Sequence, residues 1–177
     1  APPTADNSEA AGATPTAGSV KINGSNLGSA LAGSIAATRL SSNTTSGFSI
    51  TLMTGTEANA TVAHGLSKVP DLVIHKERVD GGNNWAVWHK SIANTLYLAL
   101  DTTAAKATEA TKWNSTSPTT TTYSLGTDTG NNEDGATYVT YCWHGVEGYS
   151  AFGTYEGSGG ATTAPFINTG FFANTVI

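Results

Sequence analysis

The sequence predicts an all-β protein: an antiparallel β-sandwich or jelly-roll-like fold with an extended N-terminal arm and at most one short helix. Three observations carry that expectation. Charged residues make up 12% of the chain, about half the usual share, and Thr, Ser, Gly, Ala and Asn take their place. Thr is β-branched and favours strands, whereas Gly and Asn favour turns. Short runs of alternating polarity recur about every ten residues, without the intervening helices that a parallel α/β sheet needs.

Residues 1–32 are small, polar and turn-rich, so they read as an extended arm or linker that cannot bury enough surface to order itself. If ordered, the arm must be held by a neighbouring subunit or by pairing of its SVKI run with a sheet edge. Residues 33–147 read as the β-sandwich module. In GFSITLMT, Phe48, Ile50 and Leu52 point one way and Ser49, Thr51 and Met53 the other, as a half-buried strand requires. DLVIHKERV then directs Leu72 and Ile74 to the core, and the turn letters DGGNN lead into WAVWHK, which together make a hairpin. TLYLAL places Leu96, Leu98 and Leu100 on one face. The segment TTAAKATEATKW (102–113) is the one candidate helical turn, weakened by Thr108 and Thr111. Two further strands, TTTTYSLG and ATYVTYCWHGV, flank the loop TDTGNNEDG.

Residues 148–177 open like residues 47–74, with Gly, an aromatic and Ser, and close on a matching pair, Val176-Ile177 against Val73-Ile74. The two openings lie about one domain length apart, which predicts closing strands or the start of a further repeat, and so a piece of a longer tandem protein.

A formal net charge of -5 and the lack of a Lys/Arg cluster exclude a nucleic-acid partner, since that affinity comes from clustered cations releasing counterions. No apolar run approaches the ~20 residues that span a bilayer, so membrane insertion is not expected. The single cysteine, Cys142, sits in the apolar run TYVTYCW and reads as a small core residue. His64, His75, His89 and His144 lack metal-ligand spacing. The loop oxygens of Asp128, Asn132 and Asp134 are weak calcium candidates, because Gly130 stands where the first carboxylate of a calcium loop belongs. Glu133, Asp134, Glu147 and Glu156 could serve a glycosidase only if two of them converged. With no nucleophile elbow, phosphate loop or dinucleotide fingerprint, the expectation is a non-catalytic protein without cofactor or metal.

The aromatics point to recognition instead. Trp85 and Trp88 fall on opposite sides of one strand, so one enters the core and the other meets a neighbour or solvent. Trp85, Trp88 and Trp113 are the candidates for a subunit interface, which is favoured, or for stacking on a glycan. Asn43, Asn59 and Asn114 begin glycosylation triplets of the kind that a Thr-rich chain produces by chance.

The segments GSIAATRLSSNTTSGFSITLMTG, ATVAHGL, NWAVWHKSI, LYLALDTTAA, KWNSTSPTTTTYSLGTD, GATYVTYCWHGVEGYSAFGTYEGSG and TAPFINTGF, in this order from Gly33 onward, carry a resemblance. Together the chain resembles a β-rich module of unassigned function in virion structural and tail-fibre proteins of marine and cyanobacterial phages. It departs from that pattern at VPDLVIHKERV, around Lys76 and Arg78. The resemblance implies a virion location and a homo-oligomeric structural module of a tail, fibre or capsid-decorating appendage. Its partners would be copies of itself, other virion proteins and, in the alternative reading, a host surface glycan. A bacterial surface adhesin subunit is the second alternative. The resemblance assigns no site residues.

Overall fold

The computed structural model describes residues 18–79, 82–160 and 165–173. The chain enters as a hairpin: β1 (Val20–Ile22) turns through Asn23 and Gly24 into β2 (Ser25–Asn26). Both turn residues have positive φ, 52° and 82°, the conformation a two-residue hairpin turn of this hand needs and Asn-Gly supplies most readily. β1 also pairs in parallel with β3 (Arg39–Asn43), placing Val20 opposite Leu40. The SVKI run therefore does add to a sheet edge, within its own chain. Of the predicted arm, Val20–Ile22 and Ser25–Asn26 pair into the sheet and Leu27 and Leu31 pack beside them, while residues 1–17 lie outside the described residues.

β3 returns antiparallel as β4 (Phe48–Thr54). Asn43 fixes the turn, its Oδ1 accepting the N–H groups of Thr45 at 3.0 Å and Ser46 at 2.9 Å. Gly47 closes it at φ 69°, where an added Cβ would lie 2.5 Å from the His144 carbonyl oxygen. Gly47→Ala combines a left-handed backbone with a backbone overlap, and an unfolding midpoint in urea is expected to register a loss of at least about 2 kcal/mol.

The remaining elements are β5 (Ala60–Ala63), β6 (Leu72–Glu77), β7 (Ala86–His89), β8 (Leu96–Ala99), β9 (Ala107–Thr108), β10 (Thr122–Leu125), α1 (Thr129–Asn132) and β11 (Thr137–Trp143). The large sheet has the order β2-β1-β3-β4-β11-β6-β7-β8-β9, and β10 and β5 form a second, two-stranded sheet. The all-β expectation holds. The large sheet is mixed rather than purely antiparallel, because β1 and β3 run parallel. The segment expected as a helical turn, 102–113, instead contributes β9 and turns, since its threonines disfavour helix and Leu96–Tyr97 offer a pairing edge. The short helix sits at α1, inside the loop read as a strand connection. The closing strands expected over 148–177 are not found among its described residues, where an isolated bridge joins Ser150 to Val146.

The second sheet lies across one face of the large one. Val62, Tyr123 and Leu125 from the small sheet meet Met53, Tyr138 and Val73 from the large one, with Trp88, Trp113 and Cys142 in the same cluster. Burial thus selects the side of each strand that the alternation alone did not. Ser49, Thr51 and Met53 are buried in β4, while Phe48, Ile50 and Leu52 are half-buried on the opposite face. In β6 it is Val73, His75 and Glu77 that face the core, correcting the expectation for Leu72 and Ile74. Leu96 and Leu98 are half-buried and Leu100 is exposed.

Candidate functional site

Residues directly opposite one another on neighbouring strands share a face, so the register defines what the outer side of the large sheet presents. One row across it reads Asn43, Phe48, Trp143, Leu72, His89. The next reads Ser41, Ile50, Tyr141, Ile74, Val87, Leu98, and a third reads Arg39, Leu52, Val139, Lys76. Apolar and aromatic residues fill the middle of the array from β4 to β8. Most are half-buried, held upright by their neighbours rather than covered by another layer.

The rings are organised. Tyr141 lies near-parallel to Phe48 (centroids 6.5 Å apart, 10° between planes), to Trp85 (6.4 Å, 17°) and to Trp143 (6.1 Å, 23°). Phe48 and Trp143 are closer, at 4.9 Å. Tyr141 is thus the hub of four aromatic side chains drawn from β4, β11 and the entry to β7. Polar groups stand at the margin: Arg39 and Lys76 end the third row, and Lys76 Nζ donates to the Asn83 carbonyl. No Asp or Glu occurs in the three rows.

The opposite face is sealed against the second sheet, and a polar series runs through its core. His75 is 1% exposed, with Nε2 2.8 Å from the Asn131 carbonyl oxygen and Nδ1 2.7 Å from Thr140 Oγ1. A carbonyl can only accept, so Nε2 carries the proton and Nδ1 accepts from Thr140. Tyr123 then donates to Thr140 Oγ1 at 2.7 Å. The line Tyr123, Thr140, His75, Asn131 is therefore a one-way series in which each hydroxyl or ring N–H donates to the next group, ending on the Asn131 carbonyl. Burial lowers the His75 pKa to about 4, so the ring is neutral. His64, also buried, is lowered to about 4 by the same cause; its Nδ1 accepts the Leu66 N–H at 3.1 Å and its Nε2 lies 3.2 Å from the Thr119 carbonyl. Burial pushes the Cys142 thiol up, which fits the inert core role expected of it.

The residues singled out from the sequence separate accordingly. Trp88 and Trp113, 5% and 3% exposed, belong to the core, so neither presents a face to a glycan or a partner. Trp85 is half-buried and reaches the outer aromatic group. Asp128 pairs with Lys112 at 2.7 Å, Asn132 is buried and bonded to backbone, and Asp134 is exposed. The described residues contain no group of three or more acidic, His or Cys side chains placed to hold a metal. The four histidines sit apart in role: His64 and His75 in the core network, His144 buried with Nδ1 2.9 Å from the Gly145 carbonyl oxygen, and His89 at the rim of the outer face. Of the carboxylates weighed for hydrolysis, Glu133, Asp134, Glu147 and Glu156 are all exposed.

Phe48, Tyr141 and Trp143 are the surface residues that sequence reasoning did not single out. Their signal was present: three strands carry an apolar set at period two, and those strands are adjacent in space though not in sequence. No helix among the described residues is long and apolar enough to cross a membrane.

Neither curated proteins nor solved structures give a match to this chain. A family model described as "Domain of unknown function (DUF7483)" matches residues 4–177, nearly the whole length. The chain therefore belongs to the DUF7483 family.

Proposed function

We propose that this protein is a non-catalytic structural module that assembles with copies of itself. The observation that carries the reading is the outer sheet face, where apolar and aromatic side chains are concentrated while the polar, hydrogen-bonded residues of the same strands are buried. A single copy gains nothing from that arrangement; a surface that meets another protein does, because interface centres are enriched in Tyr, Trp and Phe and depleted in charge. Taken from β4 to β8, the array is roughly 19 Å wide and 15 Å long from ordinary strand spacing and rise. That is roughly 300 Å², the size of the largest apolar patch on a typical monomer and often a functional one.

The setting, a phage particle in which the module is part of a tail, fibre or capsid-decorating appendage, rests on the resemblance of the segments from Gly33 onward. Hydroxyl-rich surfaces suit such a particle, since ion pairs on an exposed surface are screened by salt and contribute little. Sedimentation over a micromolar concentration range is the direct test of assembly. Masses at multiples of the 18.1 kDa chain are expected, and a monomer at every concentration would remove the reading.

A second reading has one observation in its favour. Near-parallel rings at Phe48, Trp85, Tyr141 and Trp143 are also what stacking on sugar faces requires, so a host-glycan surface is the alternative. A glycan array probed with wild type and Tyr141→Ser separates the two, because glycan binding lost in the variant from a monomeric wild type fits only the alternative.

A further inference from the structure

The segment that follows β11 supplies what the outer face lacks. From Ala151 to Ala173 the described residues form no strand, and three of their five aromatics stand in solvent: Tyr155 is 65% exposed, Phe166 91%, and Phe172 is fully exposed, while Phe152 and Phe171 are half-buried. Large apolar side chains this bare are costly in water and, in such number on one short stretch, mark a surface that another surface covers. The charges match as well. The face carries Lys76 at its margin and no carboxylate in its rows, whereas the 151–173 segment carries Glu156 and no Lys or Arg. Reach is sufficient: extended from Ser150 to Phe172, the segment spans roughly 70 Å at ~3.3 Å per residue, several times the width of the array.

We infer that the 151–173 segment of one copy docks through Phe166 and Phe172 on the aromatic outer face of a second copy, around Tyr141. This rests on the assembly reading above and specifies its contact. The contact is heterologous, segment to face, so each copy has one donor and one acceptor surface, and the interaction either closes into a ring or propagates along a fibre.

Two full-length variants test it together. Phe166→Ser with Phe172→Ser disables the segment and leaves the face intact; Ile50→Glu with Ile74→Glu disables the face and leaves the segment intact. Near-UV circular dichroism of the buried Trp88 and Trp113 reports whether each is folded, and Tyr141→Ser is the milder face variant if the double substitution is not. Each variant alone is expected to self-associate roughly 100-fold more weakly than wild type, the scale set by losing two buried phenyl rings. Mixed one to one, they are expected to form a heterodimer that grows no further, since only one productive segment and one productive face remain.

A segment variant that still associates like wild type, beside a monomeric face variant, would mean that the copies meet face to face; the docking is then wrong and the assembly reading survives. Two monomeric variants that fail to complement each other would overturn the docking in the same way. A wild type that is monomeric throughout, with or without glycan binding, would overturn both.

Discussion

Asn132→Asp is expected to cost about 4 kcal/mol of folding stability, although the two side chains have nearly the same shape. Asn132 is fully buried and ties three separate parts of the chain together. Its Nδ2 donates to the Ala58 carbonyl at 2.7 Å and the Gly126 carbonyl at 2.8 Å, and its Oδ1 accepts the Thr56 N–H at 3.0 Å. In the aspartate an oxygen replaces the doubly donating nitrogen and faces two carbonyl oxygens at those distances, with a charge that has no cation beside it. Asn132→Ala loses the same bonds without the repulsion, and so is expected to fall between wild type and the aspartate. The measurement is urea unfolding with and without added calcium. A calcium site at Asp128, Asn132 and Asp134 predicts the reverse, since a further carboxylate would strengthen the response to the ion. An aspartate variant as stable as wild type would show that these three bonds do not hold the loop.

Acidification gives the other large effect. His64 and His75 both have folded-state pKa values lowered from 6.5 to about 4, principally by burial. Above pH 6.5 both rings are neutral in the folded and unfolded chain, and the full stability is present. As the pH falls below 6.5 the unfolded chain takes up two protons that the folded one refuses, so stability declines until the folded rings also protonate near pH 4. A shift of this size corresponds to roughly 3 kcal/mol per histidine, and two of them are comparable with the whole stability of a typical domain. Geometry gives the same sign. Protonated His64 would point an Nδ1–H at the Leu66 N–H, donor against donor, and protonated His75 would reverse the series that runs from Tyr123 through Thr140. Unfolding midpoints measured between pH 7 and 4 should fall steeply, and His75→Asn should flatten part of the dependence even while lowering stability at neutral pH. A midpoint that does not move across this range would contradict the sealed, neutral state of both rings.

The alternation in GFSITLMT and the strand-like run ATYVTYCWHGV marked two of the central strands, whereas the hairpin through Asn23 and Gly24 lay inside the stretch read as an arm. What the letters could not convey is which side of each strand meets the second sheet. Hydropathy favours Phe48, Ile50, Leu72 and Ile74 for the interior, yet the interior holds Ser49, Thr51, His75 and Thr140. Thr51, His75 and Thr140 are tolerated there because partners far along the chain satisfy them: Ala63 accepts from Thr51, Tyr123 donates to Thr140, and Asn131 accepts from His75. Such pairings depend on tertiary placement and leave no periodic trace. For the same reason Trp88 and Trp113 read as surface candidates, while Tyr141, whose importance comes from neighbours on β4, β6 and the approach to β7, did not stand out.

The position of β11 has a consequence for biosynthesis. It is the last strand among the described residues, yet it lies between β4 and β6 and pairs with both along nearly its whole length. While translation is still short of Trp143, the two halves of the nascent polypeptide have no direct seam, and each leaves a bare hydrogen-bonding edge toward the gap. Completion therefore waits for the late insertion of one strand, and the interval before it is when an unfinished chain is open to pairing with the wrong neighbour.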